Sequence, residues 1–229
     1  MTKTGSVSYA AGLVVCLLLL SSGSSSVYAQ QRDNPQRDSQ FWPDTQLAIN
    51  IRPQWKLILF GTVRLGRNDT AFVNEQVGVG VNRALGKHFS SGLFYRYINA
   101  EPTPGRQSRE HRIGYEVTAR RELGWGWLVQ DRNRIEWRDI NTRVSWRYRN
   151  RLQFERPLAI SEHKLTPYVA CEPMYDTRHR TWSRTQCYVG SRIPLNKHVT
   201  FDGFYMRQWD ARANPGFLHV FGAYWRLEY

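Results

Sequence analysis

The stretch that decides the fold is the last one, residues 219–229, His219-Val220-Phe221-Gly222-Ala223-Tyr224-Trp225-Arg226-Leu227-Glu228-Tyr229. Counting back from Tyr229, every second residue is apolar: Leu227, Trp225, Ala223 and Phe221. A helix repeats every 3.6 residues and cannot place these side chains on one face, whereas a β-strand does so by construction. The residues between them include Arg226 and Glu228, so the other face of that strand is polar. An apolar stripe ending on a terminal aromatic is the kind of signal read by the outer-membrane barrel assembly machinery, which is the partner it predicts.

Working back from there, the same period of two fills the chain. In 127–138, Trp127, Val129, Ile135 and Trp137 oppose Gln130, Arg132, Arg134, Glu136 and Arg138. In 142–155 the parity flips, and Val144, Trp146, Tyr148, Leu152 and Phe154 oppose Arg143, Arg147, Arg149, Arg151 and Glu155. The runs 55–65, 73–82, 89–99, 109–120, 165–175, 185–193 and 199–207 alternate likewise. Alternation over segments of roughly ten residues is what a membrane barrel requires, with lipid on one face and a lumen on the other. A soluble antiparallel barrel or sandwich also alternates, so the period alone does not separate the two folds. The terminal stripe and the N-terminus do.

That N-terminus reads as a cleaved secretory signal. Lys3 precedes an apolar run from Ala10 to Leu20, and Val27-Tyr28-Ala29 gives the small-x-small pattern after which signal peptidase cuts. The run is about half the roughly 20 residues a membrane helix needs. Val15 is too bulky for lipoprotein processing at Cys16. Residues 1–29 are therefore expected to be removed at Ala29. Residues 30–44 read as a polar, flexible periplasmic lead-in, and residues 45–229 as the barrel in the bacterial outer membrane.

Composition agrees. No later segment is apolar and long enough for a membrane helix, and mean hydropathy is −0.57. Aromatics reach 14% with 9 Trp and 12 Tyr, the material of two interfacial girdles. The net charge of +13 would suggest nucleic acid in a cytoplasmic protein. On an exported chain it points instead to outer-membrane lipid headgroups, small anions and internal carboxylates, with no nucleic acid. The expected fold class is all-β, an antiparallel transmembrane β-barrel with an Arg-rich lumen. Eleven runs can be counted, and an even strand number is expected for both ends to face the periplasm. That sets about twelve strands, with ten as the alternative.

The phrases 165–176 (LTPYVACEPMYD), 184–209 (RTQCYVGSRIPLNKHVTFDGFYMRQW) and the closing strand, together with 77–98 and 150–158, are similar to an uncharacterised bacterial family, the domain-of-unknown-function 2490 type. The resemblance implies an outer-membrane barrel and carries no activity with it.

The lumen holds the candidate chemistry. Glu110, Arg112, Glu116, Arg132, Arg134, Glu136, Arg138, Arg143, Arg147, Arg149, Arg151, Glu155 and Glu172 are all on the polar faces of their strands. If residue numbers sum to 248 across the hairpin of 109–120 and 127–138, then Glu110 meets Arg138, Arg112 meets Glu136 and Glu116 meets Arg132. A sum of 283 across the next hairpin pairs Glu136 with Arg147 but sets Arg134 against Arg149 and Arg132 against Arg151. The reading adopted is an Arg/Glu network that holds a small lumen largely closed. An anion-selective pore or an acidic-ligand-binding barrel is the alternative, since Arg rings favour anions. A lipase-like outer-membrane enzyme is the third reading, but the six His stand in no recognisable catalytic phrase. Isolated His and two mature Cys give no metal-ligand spacing, and no cofactor motif occurs. Cys171 and Cys187 share the apolar parity and can be cross-strand neighbours. An oxidising envelope permits a disulfide there, while the strain of bridging adjacent antiparallel strands favours free thiols.

Overall fold

In a computed structural model, which describes residues 37–160 and 163–229, twelve strands form and eleven of them close into a barrel. The expected signal peptide and its cleavage site lie outside the described residues. The strands are β1 Arg37–Arg52, β2 Trp55–Gly66, β3 Ala71–Leu85, β4 Phe89–Thr103, β5 Arg106–Glu122 and β6 Leu128–Ile140. They continue with β7 Arg143–Glu155, β8 Leu158–Ile160, β9 His163–Asp176, β10 Thr181–Pro194, β11 Val199–Asp210 and β12 Phe217–Glu228. Each strand pairs antiparallel with the next around the wall, except that β9 pairs with β7 directly. β8 forms a short separate hairpin with the start of β9.

The seam differs from expectation. β1 lies parallel to β12, with Arg37 beside Phe217 and Ala48 beside Glu228. A closed sheet in which every pair is antiparallel must have an even number of strands, and one parallel seam is what permits eleven. The even-number argument therefore miscounted the wall, although twelve strands are present in all. The seam also corrects the lead-in. Residues 37–44 belong to β1, with Asp38, Gln40 and Trp42 buried on the lumen side. Their polar inward face hid a strand that the eye reads as loop.

The segment 100–108, despite its two prolines, is mostly strand, and the chain turns at Pro104-Gly105 with Gly105 at φ +75°. Between β6 and β7 the turn is Asn141-Thr142, both with positive φ. That is the twist-matched two-residue hairpin, for which Asn is a favoured residue.

The faces are inverted relative to a water-soluble fold. Leu59, Val77, Val79, Leu93, Ile113, Ile135, Leu152 and Val189 are exposed on the outside. Exposed Trp55, Phe89 and Trp225 sit near one end of that belt, and Trp146 and Trp182 near the other. This is the apolar band with aromatic girdles that lipid selects. Outward polar groups bond to one another: Tyr95 Oη and His111 Nδ1 share a hydrogen bond at 2.7 Å, as do Tyr205 Oη and His219 Nδ1. Asn150 Nδ2 donates to Asp131 Oδ1 at 2.5 Å.

Inside, the side near the seam is apolar, with Trp42, Met206, Leu218 and Val220 packed against Phe204 and Tyr188. Three inward phenylalanines lie over glycines directly opposite on the next strand: Phe60 over Gly78, Phe94 over Gly114 and Phe204 over Gly222. The glycine there is required by close approach, because any β-carbon would fall within the ring.

Candidate functional site

The charged side of the lumen spans β5 to β10, and its pattern follows from the register. Across β5 and β6 the residue numbers sum to 250, so Glu110 faces Ile140, Arg112 faces Arg138 and Glu116 faces Arg134. The expected opposite-charge register is two residues off. A slip of two keeps every side chain on its own face, so periodicity cannot detect it. Glu116 and Arg134 pair directly across the strands, whereas Glu110 reaches Arg138 on the diagonal and Arg112 along its own strand, all within reach of long side chains. Arg138 Nε and Nη2 donate to the two oxygens of Glu110 at 2.7 and 2.8 Å, and Arg112 Nε donates to Glu110 Oε1 at 2.7 Å. Arg134 takes Glu116, with Nε at 2.8 Å. Across β6 and β7 the register is the expected one, with Glu136 opposite Arg147, Arg134 opposite Arg149 and Arg132 opposite Arg151.

Like charges directly opposite would be destabilising. They are tolerated because carboxylates bind them in common: Glu110 holds Arg112 and Arg138, and Glu136 lies within 4 Å of both Arg134 and Arg149. Glu172 on β9 accepts from Arg149 Nε at 2.8 Å and Arg132 Nη2 at 2.9 Å. Glu136 accepts from Arg149 Nη1 at 3.3 Å, with Arg134 and Arg112 at 3.6 and 3.7 Å. Glu155 at the end of β7 joins Arg120, Arg192, Gln130 and Gln153.

Two assignments change within the predicted set. Arg143 is exposed at the start of β7 beside the Asn141-Thr142 turn, and makes no ion pair among the described residues. Arg151 lies in the lumen without a carboxylate partner there, donating to Gln153 at 2.9 Å and standing 4.3 Å from the Tyr188 ring. Several members were missed. Asp176, fully buried, accepts from Arg138 and Arg147 at 2.9 Å each and from Arg178 at 3.1 Å. Its inward parity was readable, but its place at the edge of a loop disguised it. Asp202 holds Arg226 and Tyr168, both at 2.8 Å, and Asp210 holds Arg184.

Glu136, Glu155, Glu172 and Asp176 are each 0% exposed. Burying a carboxylate without partners is prohibitively costly, and pairing offsets that cost only when geometry is good. Next to the network remains a lumen cavity of about 620 Å³, lined by twelve Lys or Arg and six Asp or Glu. The surplus is cationic.

The two cysteines depart from the free-thiol expectation. Cys171 and Cys187 are direct partners on β9 and β10, and a disulfide joins them. Their Cα atoms are 4.1 Å apart, the close spacing of a non-hydrogen-bonded pair, which brings the side chains together.

No curated protein matches the chain. Among solved structures, the β-domain of the Bordetella autotransporter BrkA is similar, at 14% identity and TM-score 0.49, over 77% of this chain and 84% of that one. The siderophore receptor PirA from Pseudomonas aeruginosa is similar at 13% identity and TM-score 0.28, over 69% of this chain but only 31% of the receptor. The family model described as "Protein of unknown function (DUF2490)" matches residues 39–218. The chain belongs to that family.

Proposed function

We propose that the protein resides in the bacterial outer membrane as a barrel whose lumen is held shut by its Arg–carboxylate network. Support for the location comes from the inverted faces, apolar and girdled outside, charged inside. The observation that carries the shut lumen is the complete burial of Glu136, Glu155, Glu172 and Asp176. In a wide aqueous channel such groups would be hydrated and their pairs weak, worth about 0–1 kcal/mol each. Here the same charges take two to four partners apiece and leave the wall cross-braced from β5 to β10. The apolar cluster of Trp42, Met206, Leu218 and Val220 fills the lumen beside the seam.

Conductance of the refolded protein in a planar bilayer tests this. The protein should insert without producing a stable open level. A steady, anion-selective conductance would overturn the shut lumen and favour a pore, since the Arg excess would then set its selectivity.

A further inference from the structure

The cationic surplus of the lumen is not spread evenly. Most of its guanidiniums are already engaged with carboxylates: Arg132 and Arg149 with Glu172, Arg134 with Glu116, Arg138 and Arg147 with Asp176. Arg64 on β2 is different. Its guanidinium lies 3.6 Å from the centre of the Trp42 ring and has no carboxylate within 4.0 Å among the described residues. Arg96 on β4 is similar. It stands 4.3 Å from the Phe60 ring and donates its side-chain hydrogen bond to a neutral acceptor, Gln76 Oε1, at 2.7 Å. The Nε atoms of both are buried without a partner.

Arg96 also faces Arg112 directly across β4 and β5. Arg64, Arg96 and Arg112 all line the cavity of about 620 Å³. Asp44 lines the same cavity and sits opposite Thr62 on β2, the strand that carries Arg64. Arg112 is held from behind by Glu110. With Arg112 already paired, Asp44 is a single free carboxylate beside Arg64 and Arg96 and leaves the group positive. An aromatic platform fixes a guanidinium in place without neutralising it. Such an arrangement is pre-organised: Arg64 and Arg96 are positioned and their charge is unspent, and Arg112 beside them is fixed by Glu110.

We propose that Arg64, Arg96 and Arg112 form a binding site inside the barrel for a small multivalent oxyanion, of which inorganic phosphate is the simplest member. The proposal rests on the lumen being the confined compartment described above. The guanidinium fork matches phosphate and carboxylate oxygens in pairs. In a confined, poorly hydrated space each contact is stronger than it would be at the surface.

Calorimetric titration of the refolded full-length barrel with inorganic phosphate, at constant ionic strength against chloride, tests it. The wild type should give saturable one-site binding. Arg64→Gln and Arg96→Gln should each weaken it at least tenfold, while exposed Arg121→Gln leaves it unchanged. Arg64→Lys keeps the charge over Trp42 but loses the fork, so it covers the case in which the Gln variant does not fold. It should also bind more weakly than wild type. Absence of saturable binding by the wild type, or equal affinity in the folded Arg64 and Arg96 variants, overturns the site. Conductance judges the shut lumen separately: a silent barrel that ignores phosphate refutes this site alone, and a conducting one that binds phosphate through Arg64 refutes only the closure.

Discussion

Arg112 and Arg138 face each other directly across β5 and β6, and both donate to the same oxygen, Glu110 Oε1, at 2.7 Å. Two like charges thus become each other's nearest cross-strand neighbours because one carboxylate two residues along the strand binds both. Arg138 reaches further, to Asp176 at 2.9 Å, and so ties β5 and β6 to β9 across the intervening β7. The same construction recurs at Glu172, which joins Arg132 of β6 to Arg149 of β7. The lumen charges act as cross-ties of the wall rather than as isolated pairs.

The aromatic-on-glycine pairs give an independent handle on the wall. Gly114→Ala should lower stability by about 1–3 kcal/mol, the usual scale of overpacking, because its β-carbon would fall within the Phe94 ring. Gly61→Ala, with nothing within 4 Å of the added carbon, should be close to neutral. Combining Gly114→Ala with Phe94→Ala should cost less than the sum of the two single changes, because removing the ring relieves the clash. Urea unfolding of these variants and of Phe94→Ala alone measures this, and strictly additive effects would show that the ring and the glycine do not meet.

The Cys171–Cys187 bond should be present in protein isolated without reductant. Alkylation before reduction should then leave both residues unmodified by mass spectrometry. Closing a loop with a sequence separation of 16 predicts that Cys187→Ser costs about 3 kcal/mol. Two alkylated residues in the unreduced protein would show free thiols.

Tyr229 closes the seam as well as ending the stripe. Its backbone N–H donates to Ala48 O at 2.9 Å, its carbonyl accepts from Asn50 N–H at 2.7 Å, and its ring stacks on His198 at 4.7 Å. Tyr229→Ser should reduce the amount of assembled barrel several-fold, whereas Glu228→Ser, off the stripe, should change it little. Heat-modifiable gel mobility reports the assembled fraction, and equal yields from the two variants would make the stripe irrelevant to assembly.

Much of this was legible in local pattern and some was not. The faces of β2 to β7 and β9 to β12 and the inward Arg and Glu residues follow from a period of two, while the β6–β7 register goes with the two-residue turn at Asn141-Thr142. The β5–β6 register did not, because a two-residue slip preserves that period and the true pairing looks unfavourable until Glu110 bridges the two arginines. The parallel seam left no local trace, since β1 and β12 meet from opposite ends of the sequence. Residues 37–44 were hidden by Asp38 and Gln40 on the lumen face and by Pro43 in mid-strand. Asp176 joins the network through Arg138 of β6 and Arg147 of β7, contacts that no reading of β9 alone reveals.

Fractionation of cells should place the protein with the outer membrane, extracted by detergent and not by high salt. An apolar belt carrying Leu59, Val79, Leu93 and Ile135 on its outside cannot stay dispersed in water. Recovery of a soluble periplasmic form would refute the membrane reading.

The most direct test of the cross-tied lumen is the stability of Glu110→Gln against Glu228→Gln, read as the free energy of urea unfolding of the refolded barrel. Glu110 is buried and shared by two facing arginines. Glu228 pairs with Lys56 at the exposed rim, with side chains 53% and 39% exposed. The account predicts a loss of about 3–5 kcal/mol for Glu110→Gln, the scale for breaking a buried pair. For Glu228→Gln it predicts a loss of about 0–1 kcal/mol. Equal, small losses in both variants would mean that water screens the lumen charges, and the cross-tied, closed barrel would be wrong.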